Sequence, residues 1–197
     1  MTEQEVLTGD ISLKDKGLGD VTANTVSIKQ GAAQDVHATT VEITLGTAND
    51  VRAEEVTMRQ AAAGSVTGDE VIMRQAATLQ LKAEMVEATQ SAMALTRAEQ
   101  ATAVASQVVG VWADEVTLDQ SSSGVVIAPG GAPHVEQSVL GALATGKAQV
   151  HNSAIGFVVA GKVEGDFRVL FGPQSALAFG AAAGAVLALV LRLTRRK

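Results

Sequence analysis

The stretch DVRAEEVTMRQAAAGSVTGDEVIMRQAATL runs from Asp50 to Leu79, and its two halves match one another fifteen residues apart. Val51 meets Val66, Val56 meets Val71, and the run MRQAA begins at Met58 and again at Met73. Self-similarity at a fixed short period is the mark of a stacked repeat architecture. The same register extends in both directions, with coils starting at Asp20, Asp35, Asp50, Ser65, Gln80, Leu95 and Gly110.

Within that register the second place holds Val21, Val36, Val51, Val66, Leu81, Thr96 and Val111. The seventh holds Val26, Val41, Val56, Val71, Val86, Ala101 and Val116, and the ninth Ile28, Ile43, Met58, Met73, Ala88, Ala103 and Leu118. Ala or Gly fills the fourth, and the twelfth and fourteenth are small or apolar. Places 2, 4, 7, 9, 12 and 14 are three short period-two segments, each an inward-outward-inward strand closed by a corner. Three such sides make a triangular coil, and coils stack at the ordinary strand spacing of about 4.8 Å. The alternative is helical, because residues 54–105 are rich in good helix formers. A 2-3-2-3 apolar spacing does not hold one helical face, so the solenoid is preferred.

The corners agree with this reading. Asp and Glu with polar neighbours collect at places 5 and 6, Gly, Asn and Asp at places 15 and 1, and Gln30, Gln60, Gln75, Gln90 and Gln120 at place 11. Turn-forming residues gather where the chain must bend, and stacked amides hydrogen-bond along a ladder. Upstream, Val6, Ile11 and Leu13 continue places 2, 7 and 9. Downstream, APGGAPH reads as a two-residue corner insertion, after which Val135, Gln137, Ser138 and Leu140 match Val150, Asn152, Ser153 and Ile155. The expected fold is all-β: a parallel β-solenoid (triangular β-helix) over residues 1–171, with about eleven coils. A C-terminal hydrophobic α-helix follows at residues 172–197.

That C-terminal segment is uncharged from Phe171 to Leu191, and every residue from Ala176 to Leu191 is apolar or glycine. As a helix, 16 to 21 residues reach roughly 24 to 32 Å, sufficient for a hydrocarbon core. Ala176, Leu177, Phe179, Val186, Leu187, Leu189, Val190 and Leu191 supply the apolar surface. Gly180 and Gly184 form a small-xxx-small pair, and Arg192, Arg195, Arg196 and Lys197 suit a headgroup-facing end. A helix capping the last coil would keep a polar face, and this segment has none, so a transmembrane anchor is expected. The start of the chain has neither the basic residues nor the apolar run of a signal peptide. The solenoid is therefore placed on the cytoplasmic face of a single C-terminal span, with the exterior face as the alternative favoured by the basic tail.

The net charge is −6, and the last six residues carry four positive charges, which leaves −10 on the body. An acidic body disfavours phosphate-backbone binding, so no nucleic-acid partner is expected. There is no cysteine, hence neither disulfides nor thiolate metal sites. The three histidines, His37, His134 and His151, occupy different repeat places and form no metal pair. Carboxylates at the first corner (Glu54, Asp69, Glu84, Glu99 and Asp114 among them) form a row that is a cation-binding candidate, but basic residues at places 3 and 10 offset it. GALATGKA, Gly141 to Ala148, comes close to a nucleotide-binding loop, but Ala148 stands where Ser or Thr is needed and the register makes it an inward solenoid residue. No catalytic, cofactor-binding or metal residue is expected, nor a small-molecule substrate, and no place offers the Thr-x-Thr column of an ice-binding solenoid.

Through its stacked V-x-A-x-x-V-x-I/M-x-Q coils and expected membrane association, the chain resembles the bactofilins, the bacterial polymer-forming β-helix proteins. Its five-residue sides are similar to those of pentapeptide-repeat proteins. The resemblance covers residues 5–171 as a repeat pattern, and an anchor at the C-terminus departs from the usual bactofilin plan, which places membrane binding near the N-terminus. It implies a non-enzymatic scaffold or filament subunit that self-associates through solenoid ends. The competing expectations are a cell-surface rod that presents its acidic side to a partner and, less favoured, a DNA-mimic inhibitor of the pentapeptide-repeat kind.

Overall fold

The structure, a computed structural model, describes the backbone of residues 5–6 and 10–170 and the side chains of residues 19–170. Among the described residues, eighteen strands join in one continuous parallel sheet that winds into a β-solenoid of about ten turns. Each strand pairs with its equivalent one coil on: Val51 lies against Val36 and Val66, and Met58 against Ile43 and Met73. This like-on-like register follows from the period, because only an offset of fifteen keeps every apolar place inward in consecutive coils.

The interior is a set of vertical columns. Val21, Val36, Val51, Val66, Leu81 and Val111 form one, and Val26, Val41, Val56, Val71, Val86 and Val116 another. A third is Ile28, Ile43, Met58, Met73 and Leu118, and all these side chains are buried. Each contributes on the order of 1.5–3 kcal/mol from leaving water. β-branched and unbranched aliphatics stack on their own kind at strand spacing, so the narrow triangle fills without large rings. Thr96, the polar member of the first column, is buried too, and its hydroxyl faces the Met93 sulfur at 3.6 Å.

Three kinds of corner close the triangle. At the first, the amides of places 5 and 6 share one carbonyl of the preceding coil, as Glu54 and Glu55 do with Thr39 and Asp69 and Glu70 do with Glu54. At the second, place 11 turns the chain through the left-handed region: Leu45, Gln60, Gln75, Gln90, Ala105, Gln120, Gln137 and Asn152 have φ between 46° and 55°. The backbone is identical there whether the residue is Gln, Leu or Ala, so the corner belongs to the coil and the residue adapts to it. The third corner, at places 15 and 1, lies in nearly extended backbone, and in several coils one strand runs straight through it, as in Gln107–Asp119 and Val139–His151.

Where the register departs from fifteen, the pairing shows how. Trp112 pairs with Ile127, fifteen residues on, while Thr117 pairs with His134, seventeen on. The two extra residues therefore lie between Ala128 and His134, in PGGAP, which bulges from the first corner. The last coil loses one residue, since Ser153 pairs with Phe167. Gly165 absorbs the shortening at φ 114°, where a Cβ would sit 2.0 Å from the Val150 carbonyl oxygen. Against the expected eleven coils the solenoid has about ten turns, and its final coil is shortened, pairing with the coil below through Phe157–Glu164 and Phe167–Val169. Residues 5–6 also pair one place off the expected register, with Glu5 rather than Val6 opposite Val21. The side chains of Ile11 and Leu13, and the helix expected over 172–197, lie outside the described residues, among which there is no helix.

Gln75 tests the left-handed corner. Gln75→Val is expected to destabilise the protein by about 1–2 kcal/mol, because a β-branched residue tolerates positive φ poorly. Gln75→Gly, which keeps the corner, should leave the urea midpoint higher than Gln75→Val does.

Candidate functional site

The solenoid presents three sides and two ends, each with its own chemistry. The first corner carries the carboxylates. Asp69, Glu84, Glu99 and Asp114 follow one another up the stack, with Lys82, Arg97 and the half-exposed Trp112 in the adjacent row, around a shallow depression of about 450 Å³. Among the described residues no group of three or more His, Asp or Glu side chains is placed to hold a metal ion. His37 is exposed in the row below Arg52. His134 and His151 are two repeat places apart, yet adjacent coils bring their rings to 6.1 Å, and His134 Nε2 lies 3.9 Å from Glu136. Reading by column misses this approach, because it is diagonal between coils.

At the second corner, place 11 carries amide ladders. Gln60 Nε2 donates to Gln75 Oε1 at 3.1 Å, and Gln75 Nε2 to Gln90 Oε1 at 3.2 Å. Gln120 donates to Gln137 at 3.4 Å. Ala105 separates these two ladders, and Leu45 separates Gln30 from Gln60, so the column is two short runs rather than one of five.

Directly inside this corner lies a second ladder that the sequence reading passed over as small residues. Ser91, Ser106, Ser121, Ser138 and Ser153 occupy place 12 and are all buried. The hydroxyl of each accepts the amide N–H of the residue one coil below, from Ala76 to Ser138, at 3.0–3.3 Å. Each also donates to the carbonyl two residues earlier, as Ser121 does to Asp119 at 2.8 Å. The left-handed turn aims those amides off the strand ladder, and the serines satisfy them in a site closed to water. The signal was present in the sequence as serine recurring one place after the corner residue, which is Gln90, Ala105, Gln120, Gln137 or Asn152.

The third side, places 12 to 15 and the following place 1, is chemically unlike the others. From Ala61 onward its segments read AAAGS, AATLQ, SAMAL, SQVVG, SSSGV, SVLGA and SAIGF, with no charged residue. Leu79, Leu95, Val109, Val125 and Val139 stand exposed on it, Val109 at 68%. Leu79, Val109 and Val139 border a groove of about 770 Å³ floored by Ala48, Ala63 and Met93.

The C-terminal end of the described stack is open. Val158 and Val163 belong to columns that are sealed lower down, but here they are only partly buried, and Val169 is exposed. Lys162 and Glu164 pair on this rim; their hydrogen bond and mutual charge raise the Lys162 amine and lower the Glu164 carboxyl. The residues expected to form the anchor, Phe171 to Lys197, lie outside the described residues. The stretch Gly141 to Ala148 falls within one strand, Val139–His151, and Ala148 is buried.

Replacing Ser121 with Ala is expected to cost about 1–3 kcal/mol, because it strands the Ser106 amide in a dry interior. Hydrogen exchange at that amide should accelerate, while Ser122→Ala, on the exposed face, should leave it unchanged. No family model, curated protein or solved structure matches this chain.

Proposed function

We propose that this protein is a non-enzymatic scaffold or filament subunit, held to the cytoplasmic face of a membrane by its C-terminal segment and assembling through the ends of its solenoid. The observation that carries the reading is the open end: strand edges and a cross-section of the apolar columns, uncovered among the described residues. A parallel stack propagates by adding one more coil in register, and a second copy supplies such a coil as readily as the chain itself. The pattern-level likeness to polymer-forming bactofilins agrees with this, and so do surfaces made of columns and ladders rather than of a pocket lined by acid and base groups. The membrane part of the proposal rests on the uncharged run from Phe171 to Leu191 and the basic residues after it.

The full-length protein in detergent is expected to form end-to-end oligomers or filaments by electron microscopy, with sedimentation that depends on concentration. Val158→Asp combined with Val163→Asp, which places charge on the open end, should abolish them. A strictly monomeric protein at high concentration would overturn the reading. In cells, the protein should pellet with membranes and resist an alkaline wash, and Leu187→Arg with Leu189→Arg should release it.

A further inference from the structure

We propose that the corner holding the two-residue insertion binds a hard divalent cation of the size of Ca²⁺, through Thr145 and a set of backbone carbonyls. The site is separate from the solenoid ends and does not rest on the scaffold reading. One hydroxyl there has too many acceptors. Thr145 Oγ1 lies 2.9 Å from the Ala128 carbonyl oxygen, 2.9 Å from that of Lys147 and 3.3 Å from that of Gly131. A hydroxyl carries one proton, so it satisfies one of these at a time and meets the others lone pair to lone pair. A cation among the four oxygens relieves that repulsion, and the hydroxyl joins as a ligand through its own lone pairs.

The spacing suits Ca²⁺. That ion holds oxygens at about 2.3–2.6 Å, often in pentagonal-bipyramidal geometry, which sets neighbouring ligands about 2.7–3.7 Å apart. All three contacts of Thr145 fall within that interval. Four protein oxygens leave the remaining places of the shell to water, which reaches the half-buried Thr145. Mg²⁺ demands near-ideal octahedral geometry and keeps several waters, so it fits a set of crowded carbonyls less well.

The insertion is what assembles these oxygens. In an uninterrupted first corner the place-5 carbonyl takes two amides from the coil above, as Thr39 does from Glu54 and Glu55. In PGGAP the Gly131 carbonyl takes no backbone amide among the described residues, and its partner is the Thr145 hydroxyl. The bulge is seated on Asp114. A Cβ at Gly131 would collide with the Asp114 carbonyl oxygen, and one at Gly130 would stand 3.2 Å from the carboxylate oxygen Oδ1. Glycine at both positions lets the backbone press against a carboxylate, which supplies negative charge beside the carbonyls. Lys147 gives its carbonyl, while its exposed ammonium is close enough to Glu164 to lower that carboxyl. Thr145 itself stands between Ala128 and Ala160 in a column of small residues, so its hydroxyl is an addition that packing does not require.

The chain has one tryptophan and no tyrosine, and Trp112 stands two residues before Asp114 with Ile127 above it. Tb³⁺, a Ca²⁺-sized ion whose emission is excited through a nearby indole, therefore reports this corner. In the full-length protein in detergent, Tb³⁺ emission excited through Trp112 should saturate at a single ion per chain and be displaced by Ca²⁺. Thr145→Ala, which installs the residue of the neighbouring coils, should weaken binding by roughly tenfold or more, and Asp114→Asn should weaken it too. Glu84→Gln, lower in the carboxylate row, should leave it unchanged. Ca²⁺ should also raise the unfolding temperature of the unaltered protein and not that of Thr145→Ala. If Thr145→Ala binds Tb³⁺ as tightly as the unaltered protein, the ion belongs to the carboxylate row and the proposal fails. It fails equally if the unaltered protein shows neither saturable emission nor a Ca²⁺-dependent shift.

Discussion

The structure depends on one constraint: each residue must lie against its own counterpart one coil away. Parallel hydrogen bonding along the whole stack enforces this, and a slip of one residue would turn every apolar column outward. The left-handed corner at place 11 is what allows the chain to return on time. It recurs from Leu45 to Asn152 with nearly constant φ, whatever side chain stands there. An ordinary residue in that region costs of the order of 1–2 kcal/mol. The serine ladder just inside the corner and the amide ladder outside it offset part of that cost by pairing groups that would otherwise be orphaned.

Stacking like upon like has a second consequence, because any property of one place becomes a property of a whole side. A repeated carboxylate becomes an acidic edge, a repeated alanine a bare strip, a repeated valine a continuous apolar wall. Among the described residues the solenoid therefore presents long surfaces, each of one chemical kind. Neither the acidic first corner nor the groove on the third side brings a nucleophile, a base and a charge stabiliser together in one enclosed place.

The fifteen-residue period, the inward columns from Val21 to Leu118 and the two-residue insertion around PGGAP were legible in the sequence, because burial in a parallel stack requires the same residue class at the same place in every coil. The shortened last coil was harder to see, since Gly165 absorbs the lost residue in a conformation that leaves no periodic mark. The serine ladder was hidden for a different reason. Serine is small, and small residues at place 12 satisfy the packing pattern whether or not their hydroxyls are used. The close approach of His134 and His151 escaped notice because it crosses from one column to another between coils.

By itself, then, the sequence determined the period, the strand pattern and the identity of the core, since these follow from a linear alternation of apolar and polar residues. Only the tertiary structure decided which amides the turns leave over, which side of the triangle faces water without charge, and, among the described residues, where the buried columns give way to partly buried ones. Each of these depends on how neighbouring coils are set against one another in space, which a repeat read along one strand does not contain.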